Sequence, residues 1–243
     1  MLKSKVPREQ LFFTSKVPSG SINYEGAKNA IDLSLQKTGL GYFDLYLLHA
    51  PFGGKEGRLG AWRALVEAAE AGKVRSIGVS NYGVHHLNEL EEWQKVRPPS
   101  PSWPRRPSTD TSPQQQPSKE KAGILSVNQI ELHPWLARQD IVSWCEQRDV
   151  VLEAYSPLVR STRMDDPMLQ PLAKKHGKTP AQILLRWGLQ KGFVILPKSE
   201  TKSRIEENTK LYDFELDAED MKSLHTTKYE PCTWDPTISP LEK

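Results

Sequence analysis

The sequence predicts an α/β fold of the TIM type, a (β/α)8 barrel left incomplete, with about six βα units legible and the first two strands missing. Three observations predict it. Short apolar runs alternate with helix-length segments, the pattern of a parallel sheet wrapped by helices. The 243 residues lie near the roughly 250 typical of such barrels. The loop after the first strand, SKVPSGS, has one Gly and no GxGxxG fingerprint, which argues against a doubly wound open sheet.

Taken in order, LFFTSK at 11–16 reads as the first strand, followed by a helix over 23–38. FDLYLLH at 43–49 is the most apolar strand and leads to a helix over 58–71, with Gly72 just past its end, where a left-handed residue is wanted. VRSIGVS at 74–80 precedes a helix over 83–95. ILSVNQIE at 124–131 and VVLEAYS at 150–156 flank a helix over 138–147. Helices over 165–176 and 179–190 come next, closed by Gly192, and then the strand FVILP at 193–197. A helix over 201–209 and a last one over 217–226 follow, the latter with Asp217 as cap and Asp220 three residues on.

One barrel domain over 1–243 is the expected organisation, interrupted at 97–121 by RPPSPSWPRRPSTDTSPQQQPSKEK. That stretch holds seven of the 19 prolines and a single aromatic. It cannot bury enough apolar surface to offset its ordering entropy, so it reads as a flexible surface insertion, with a PxxP-type ligand as the less favoured alternative. It also carries the charge. Between 97 and 123 five basic residues face two acidic ones, so the whole net charge of +3 sits there and the rest of the chain is neutral. Nucleic-acid binding therefore gets no support. No apolar run approaches membrane-spanning length. MLKSKVPREQ has no signal-type apolar region, and Cys145 and Cys232 are too few for a disulfide framework, so a reducing, cytoplasmic setting is expected. Neither cysteine sits in a metal-type spacing, and no metal site is expected.

The stretch VILPKSETKSRIEEN, 194–208, runs from a strand into a cationic loop and then a helix capped by Thr201 or Ser203. Lys198, Ser199 and Arg204 converging on a helix N-terminus make a phosphate site, because unpaired N–H groups favour an anion and Arg adds a bidentate fork. The other strands also end in polar groups: Lys16, His49, Ser80 with Asn81, Gln129, and Tyr155 with Ser156. Singly, each has a plain reading as a strand-terminal charge, a core His, a turn Asn, a partnered amide or a core aromatic. Six successive strands delivering such groups to one rim outweigh those readings, since reactive groups in α/β barrels sit at strand C-termini.

Through FFTSKV, DLYLLHAP, GVSNY, VNQIELHPW, EAYSPL and ILPKSETKSRIEEN the chain resembles the aldo-keto reductases, NADP(H)-dependent enzymes on a (β/α)8 barrel. HHLNELEEW and the YEPCTWDP tail are most similar to fungal members. The resemblance implies that His49 orients the substrate carbonyl and donates to its oxygen. It implies that Lys16 is the Lys that lowers the pKa of the family's catalytic Tyr. Ser80, Asn81 and Gln129 match the residues that hold the nicotinamide carboxamide, and Tyr155 the aromatic that stacks on the ring. Ser156 and Leu158 match pyrophosphate contacts. Lys198, Ser199 and Arg204 match the 2′-phosphate site, and Glu207 and Asn208 the adenine end. The implied activity is NADPH-dependent reduction of an aldehyde or ketone to an alcohol, or the reverse.

Two departures accompany it. The family's general-acid Tyr and its supporting Asp lie on a segment that would precede Met1, and Tyr24 reads as a helix-surface residue, no substitute for the acid. Ala50, in HAP, stands where the family often has a Trp, which removes a usual pocket aromatic and leaves the substrate preference open. Three readings follow: a fragment of a full reductase, which is favoured; a short form that closes its open barrel edges by self-association; and a catalytically impaired NADP(H)-binding partner or regulatory protein.

Overall fold

A computed structural model describes residues 6–96 and 123–238. The 97–121 insertion lies outside the described residues. Six strands, β1 (Thr14–Val17), β2 (Phe43–Leu48), β3 (Val74–Ser80), β4 (Leu125–Glu131), β5 (Val151–Tyr155) and β6 (Val194–Leu196), join one sheet in chain order. The β1–β2, β4–β5 and β5–β6 pairings are parallel, as βα alternation requires. The helices are α1 (Tyr24–Thr38), α2 (Gly54–Glu70), α3 (Val84–Val96), α4 (Gln139–Glu146), α5 (Leu169–His176), α6 (Pro180–Gln190), α7 (Lys202–Glu207) and α8 (Ala218–Ser223). The described residues form two compact units, one of 6–78, 85–96 and 123–125, the other of 79–84 and 126–238. Among them no helix is long and apolar enough to cross a membrane.

In the first unit β2 is buried along its whole length, the signature of a strand covered on both faces. Its one acid, Asp44, is 4% exposed and fully engaged. It pairs with Arg8 at 2.7 Å and Arg75 at 3.4 Å, and accepts the Phe13 N–H at 2.8 Å. Both guanidiniums also lie over the Tyr42 ring, at 4.0 and 3.9 Å. This arrangement shortens the first strand from the expected 11–16 to Thr14–Val17. Arg8 takes the Leu11 carbonyl at 2.6 Å and Asp44 takes the Phe13 amide, so side chains satisfy backbone groups that would otherwise enter a ladder.

In the second unit α6 begins with a full capping box, Thr179 with Gln182, and Pro180 at its first position. The Asp217–Asp220 box expected for the last helix is present as well. Gly188 of α6 lies so close to β6 that a Cβ there would meet Ile195 Cγ2 at 2.7 Å. Gly72 and Gly192 adopt φ of 71° and 78°, as expected past helix ends.

Two helices start elsewhere than the periodicity implied. α2 opens at Gly54, four residues before 58, because Gly53 and Gly54 both take positive φ and let the chain turn early. α5 opens at Leu169 rather than 165. Pro167 disfavours helix at Asp166, whose carboxylate instead accepts the Met168 N–H at 2.9 Å. α7 and α8 are each about one turn shorter than expected.

Candidate cofactor and active site

The second unit gathers four of the sequence-predicted groups into one hydrogen-bonded cluster at the C-terminal ends of β3, β4 and β5. Ser80 Oγ donates to the Gln129 carbonyl at 2.8 Å, and Asn81 N–H donates to the same oxygen at 2.9 Å. Asn81 Nδ2 donates to Ser80 Oγ at 3.2 Å, while Tyr155 Oη donates to Asn81 Oδ1 at 2.8 Å. Ser80, Asn81 and Gln129 are 1, 4 and 5% exposed. Asn81 sits at φ 64°, a left-handed geometry that Asn tolerates better than most residues. Here it turns the chain out of β3 and aims the carboxamide back at the sheet.

The Gln129 amide is itself oriented. Its Nε2 donates to Glu153 Oε2 at 2.5 Å, and Glu153 is 7% exposed. This contact fixes the rotation of the Gln129 carboxamide beside Ser80 and Asn81. Glu153 was not anticipated from sequence; the signal was an acid inside an apolar strand, VVLEAYS, which must be partnered when buried. Tyr155 is half-buried, and burial pushes its phenol up to about 12, with the Glu131 charge adding to the rise and a Thr233 hydrogen bond opposing it. It is therefore neutral and able to donate at any ordinary pH.

Ser156 and Leu158 lie in the loop that leaves β5. Four non-glycine residues there, Ser156, Val159, Arg160 and Ser161, take φ between 48° and 61°. For Val159, a β-branched residue, this is a strained state costing on the order of 1–3 kcal/mol. Left-handed residues in a loop turn amide groups into concavities of the kind that hold phosphate oxygens.

Lys198 and Ser199 occupy the loop between β6 and α7, and Arg204 lies in the first turn of α7. Thr201 takes the cap position, as one of the two alternatives anticipated, but its side chain caps nothing. Ser199 Oγ instead accepts the Thr201 N–H at 3.2 Å. Lys198 Nζ sits 2.5 Å from Glu200 Oε1, with both side chains exposed at 76 and 84%. Arg204 is exposed and makes no ion pair among the described residues. Glu207, at the far end of α7, is engaged elsewhere: its carboxylate accepts the Thr179 hydroxyl at 2.7 Å, tying α7 to α6. Asn208 is the C-cap of α7 and donates its N–H to the Arg204 carbonyl.

In the first unit Lys16 and His49 stand at the ends of neighbouring strands. Lys16 pairs in register with Leu47, and the His49 N–H donates to the Val17 carbonyl at 3.3 Å. His49 is exposed, yet loss of water around its ring, and then the Lys16 ammonium, lower its pKa from the ordinary histidine value. At neutral pH it is an uncharged imidazole with one N–H to give. Tyr24 is the first residue of α1, and its hydroxyl donates to Glu67 at 2.7 Å under the Arg63 guanidinium. That is the helix-surface position expected for it.

The tail at 229–238 adds groups that sequence reasoning missed. Leu136 and Tyr229 form an antiparallel bridge, and the Glu230 N–H donates to the Trp135 carbonyl at 2.9 Å. Cys232 N–H and the Thr233 hydroxyl both donate to Glu131, at the end of β4. Arg138 pairs with Asp235 at 3.3 Å. No local pattern announces these contacts, because each joins segments about a hundred residues apart.

The model of the Aldo/keto reductase family matches residues 1–228. An uncharacterized oxidoreductase of Schizosaccharomyces pombe is 39% identical over 242 residues, covering 99% of this chain and 77% of that protein. The glyoxal reductase of Bacillus subtilis is also 39% identical, over 91% of this chain and 70% of its own length. A Bombyx mori aldo-keto reductase crystallised with NADP superposes with a TM-score of 0.70 at 31% identity, over 90% of this chain and 68% of that one.

Proposed function

The chain belongs to the aldo/keto reductase family, and from that premise we propose that it reduces an aldehyde or ketone to the alcohol with NADPH, or runs the reverse oxidation. The observation that carries the reading is the hydrogen-bonded cluster of Ser80, Asn81, Gln129 and Tyr155. Its buried amides and hydroxyl are held in fixed orientations beside a half-buried aromatic ring. These groups fit a carboxamide-bearing aromatic ring, which needs both amide partners and a flat surface. The positive-φ loop at Ser156–Ser161 fits a pyrophosphate, with Ser156 and Leu158 as its contacts.

NADPH, when bound, supplies the hydride. The chain's own residues then have separate tasks. Ser80, Asn81 and Gln129 hold the carboxamide and Tyr155 covers one face of the ring. Lys198, Ser199 and Arg204 take the 2′-phosphate, with Glu207 and Asn208 toward the adenine. His49, kept neutral by its surroundings and Lys16, orients the carbonyl and donates its N–H to the oxygen on which negative charge develops. A soluble, cytoplasmic role on small carbonyl substrates completes the proposal. The glyoxal reductase relative makes small reactive aldehydes the first class to try. Self-association belongs to the same reading, because β6 pairs with β5 at one end of the strand order and leaves Val194 and Leu196 45 and 37% exposed.

The test is a fluorescence titration with NADPH and with NADH, together with NADPH consumption on a panel of aldehydes and ketones. Preferential NADPH binding with turnover supports the reductase. Binding without turnover leaves a cofactor-binding protein, and binding of neither coenzyme overturns the reading.

A further inference from the structure

Glu131, His133 and Cys232 take no part in the function proposed above, yet each offers a donor atom within 4.8 Å of the other two. We propose that these three side chains bind one divalent ion of the zinc class. Their placement is set by backbone contacts that need no metal. Glu131 ends β4 and His133 follows two residues on, and their side chains meet at 2.8 Å, His133 Nε2 to Glu131 Oε1. Cys232 is delivered by the tail, which the Leu136–Tyr229 bridge and the Glu230 N–H hold against the segment after β4. The Cys232 N–H then donates to Glu131 Oε1 at 2.6 Å, fixing the approach of the thiol.

The donor set is one thiol, one imidazole and one carboxylate. Sulfur and imidazole favour zinc or its spectroscopic substitute cobalt over magnesium or calcium, which want oxygen alone. Tetrahedral zinc places its ligand atoms roughly 3–4 Å apart, so atoms already within 4.8 Å reach it by small side-chain rotations. Burial and charge point the same way. Glu131 is 5% exposed, and its one ion-pair partner among the described residues is His133, with no Lys or Arg in contact. A buried carboxylate without a fixed cation beside it is the environment that a metal stabilises. His133 is fully buried beside the Trp135 ring, its Nε2 meets Glu131, and its Nδ1 has no hydrogen-bond partner among the described residues. Cys232 is half-buried, so the cluster is reached from solvent on the side of its thiol. On ligation the thiol releases its proton to solvent and the sulfur lone pair forms the new bond.

The experiment uses the untagged full chain, stripped with a chelator and titrated with cobalt alone. One equivalent is expected to produce a sulfur-to-cobalt charge-transfer band and the visible absorption of a four-coordinate site, both abolished by one equivalent of zinc. Cys232→Ser should remove the charge-transfer band and weaken zinc binding, measured against a chromophoric chelator, by about tenfold or more. Glu131→Gln should weaken zinc while keeping the sulfur band. Cys145→Ser should change neither, since that thiol is buried elsewhere. Circular dichroism confirms that each variant is folded. A folded chain that shows no sulfur–cobalt band, or a Cys232→Ser variant with unchanged zinc affinity, overturns the site and leaves a purely hydrogen-bonded cluster.

Discussion

Replacing Arg204 by Ala separates a phosphate-binding role from an ordinary surface charge, and the structure allows its size to be worked out beforehand. Arg204 is exposed and forms no ion pair among the described residues, so its removal leaves no buried group without a partner. Stability should therefore change by no more than about 0.5 kcal/mol. A guanidinium hydrogen-bonded to a dianionic phosphate is worth about 1.5–3 kcal/mol, so NADPH affinity should fall roughly 10- to 150-fold while NADH affinity stays put. Lys198 differs, because it already pairs with Glu200. It must leave that partner to meet a phosphate, at a cost of about 0.2–1 kcal/mol for so exposed a pair. Lys198→Ala should accordingly cost less than Arg204→Ala. Glu200→Gln frees the ammonium and should tighten NADPH, by up to about fivefold. Coenzyme fluorescence titrations at two salt concentrations read all three variants, and the effects should shrink as salt rises. If Arg204→Ala weakens NADPH and NADH equally, or Glu200→Gln weakens NADPH, the assignment of this loop to the 2′-phosphate is wrong.

Lys16→Met removes the positive charge that helps hold His49 neutral, so the imidazole pKa should move up toward, without reaching, its ordinary value, because the partial loss of water around the ring persists. Proton NMR of the C2–H resonance across a pH titration measures it, and a downward shift would contradict the sign. Tyr155→Phe keeps the ring but leaves Asn81 Oδ1 without its hydroxyl donor, costing about 1–3 kcal/mol in denaturant unfolding. NADPH affinity should fall less in this variant than in Tyr155→Ala, which loses the stacking surface too, and the reverse order would refute the ring's role. Gly26→Ala pits helix propensity, which gains about 1 kcal/mol, against packing. The new Cβ would lie 2.5 Å from the Ser21 carbonyl oxygen and 3.1 Å from the Asn23 carboxamide that caps α1. Packing should win, and a raised melting temperature would show that the turn before α1 yields freely.

The fold was legible wherever local chemistry decides it. The alternation of apolar runs with amphipathic segments placed the six strands and eight α-helices of the described residues, because a strand buried on both faces and a helix with one apolar stripe leave different periods in the sequence. Capping chemistry located the last helix from Asp217 and Asp220 alone. Boundaries slipped where a distant side chain intervened. Nothing between residues 8 and 13 reveals that Asp44 will claim the Phe13 amide and end the first strand's pairing early. A Gly pair can start a helix as well as break one, and Gly53 and Gly54 are read correctly only once their φ values are known.

The same distinction divides the site. Polar residues at strand ends were visible because strand ends are visible, and Ser80, Asn81, Gln129 and Tyr155 do meet. What orients them was not, since Glu153 and Glu131 look like misplaced charges in VVLEAYS and SVNQIEL. The physical lesson runs from cost to function. A carboxylate in an apolar strand is expensive to bury unless donors converge on it, so each such acid implies that other groups are held nearby in fixed directions. Glu153 uses that rigidity to fix one amide, that of Gln129. Glu131 uses it to capture the tail through Cys232 and Thr233. Searching barrel strands for acids near their C-terminal ends would therefore have found both supporting residues before any coordinates, on the ground that a buried charge without organised partners would not be tolerated.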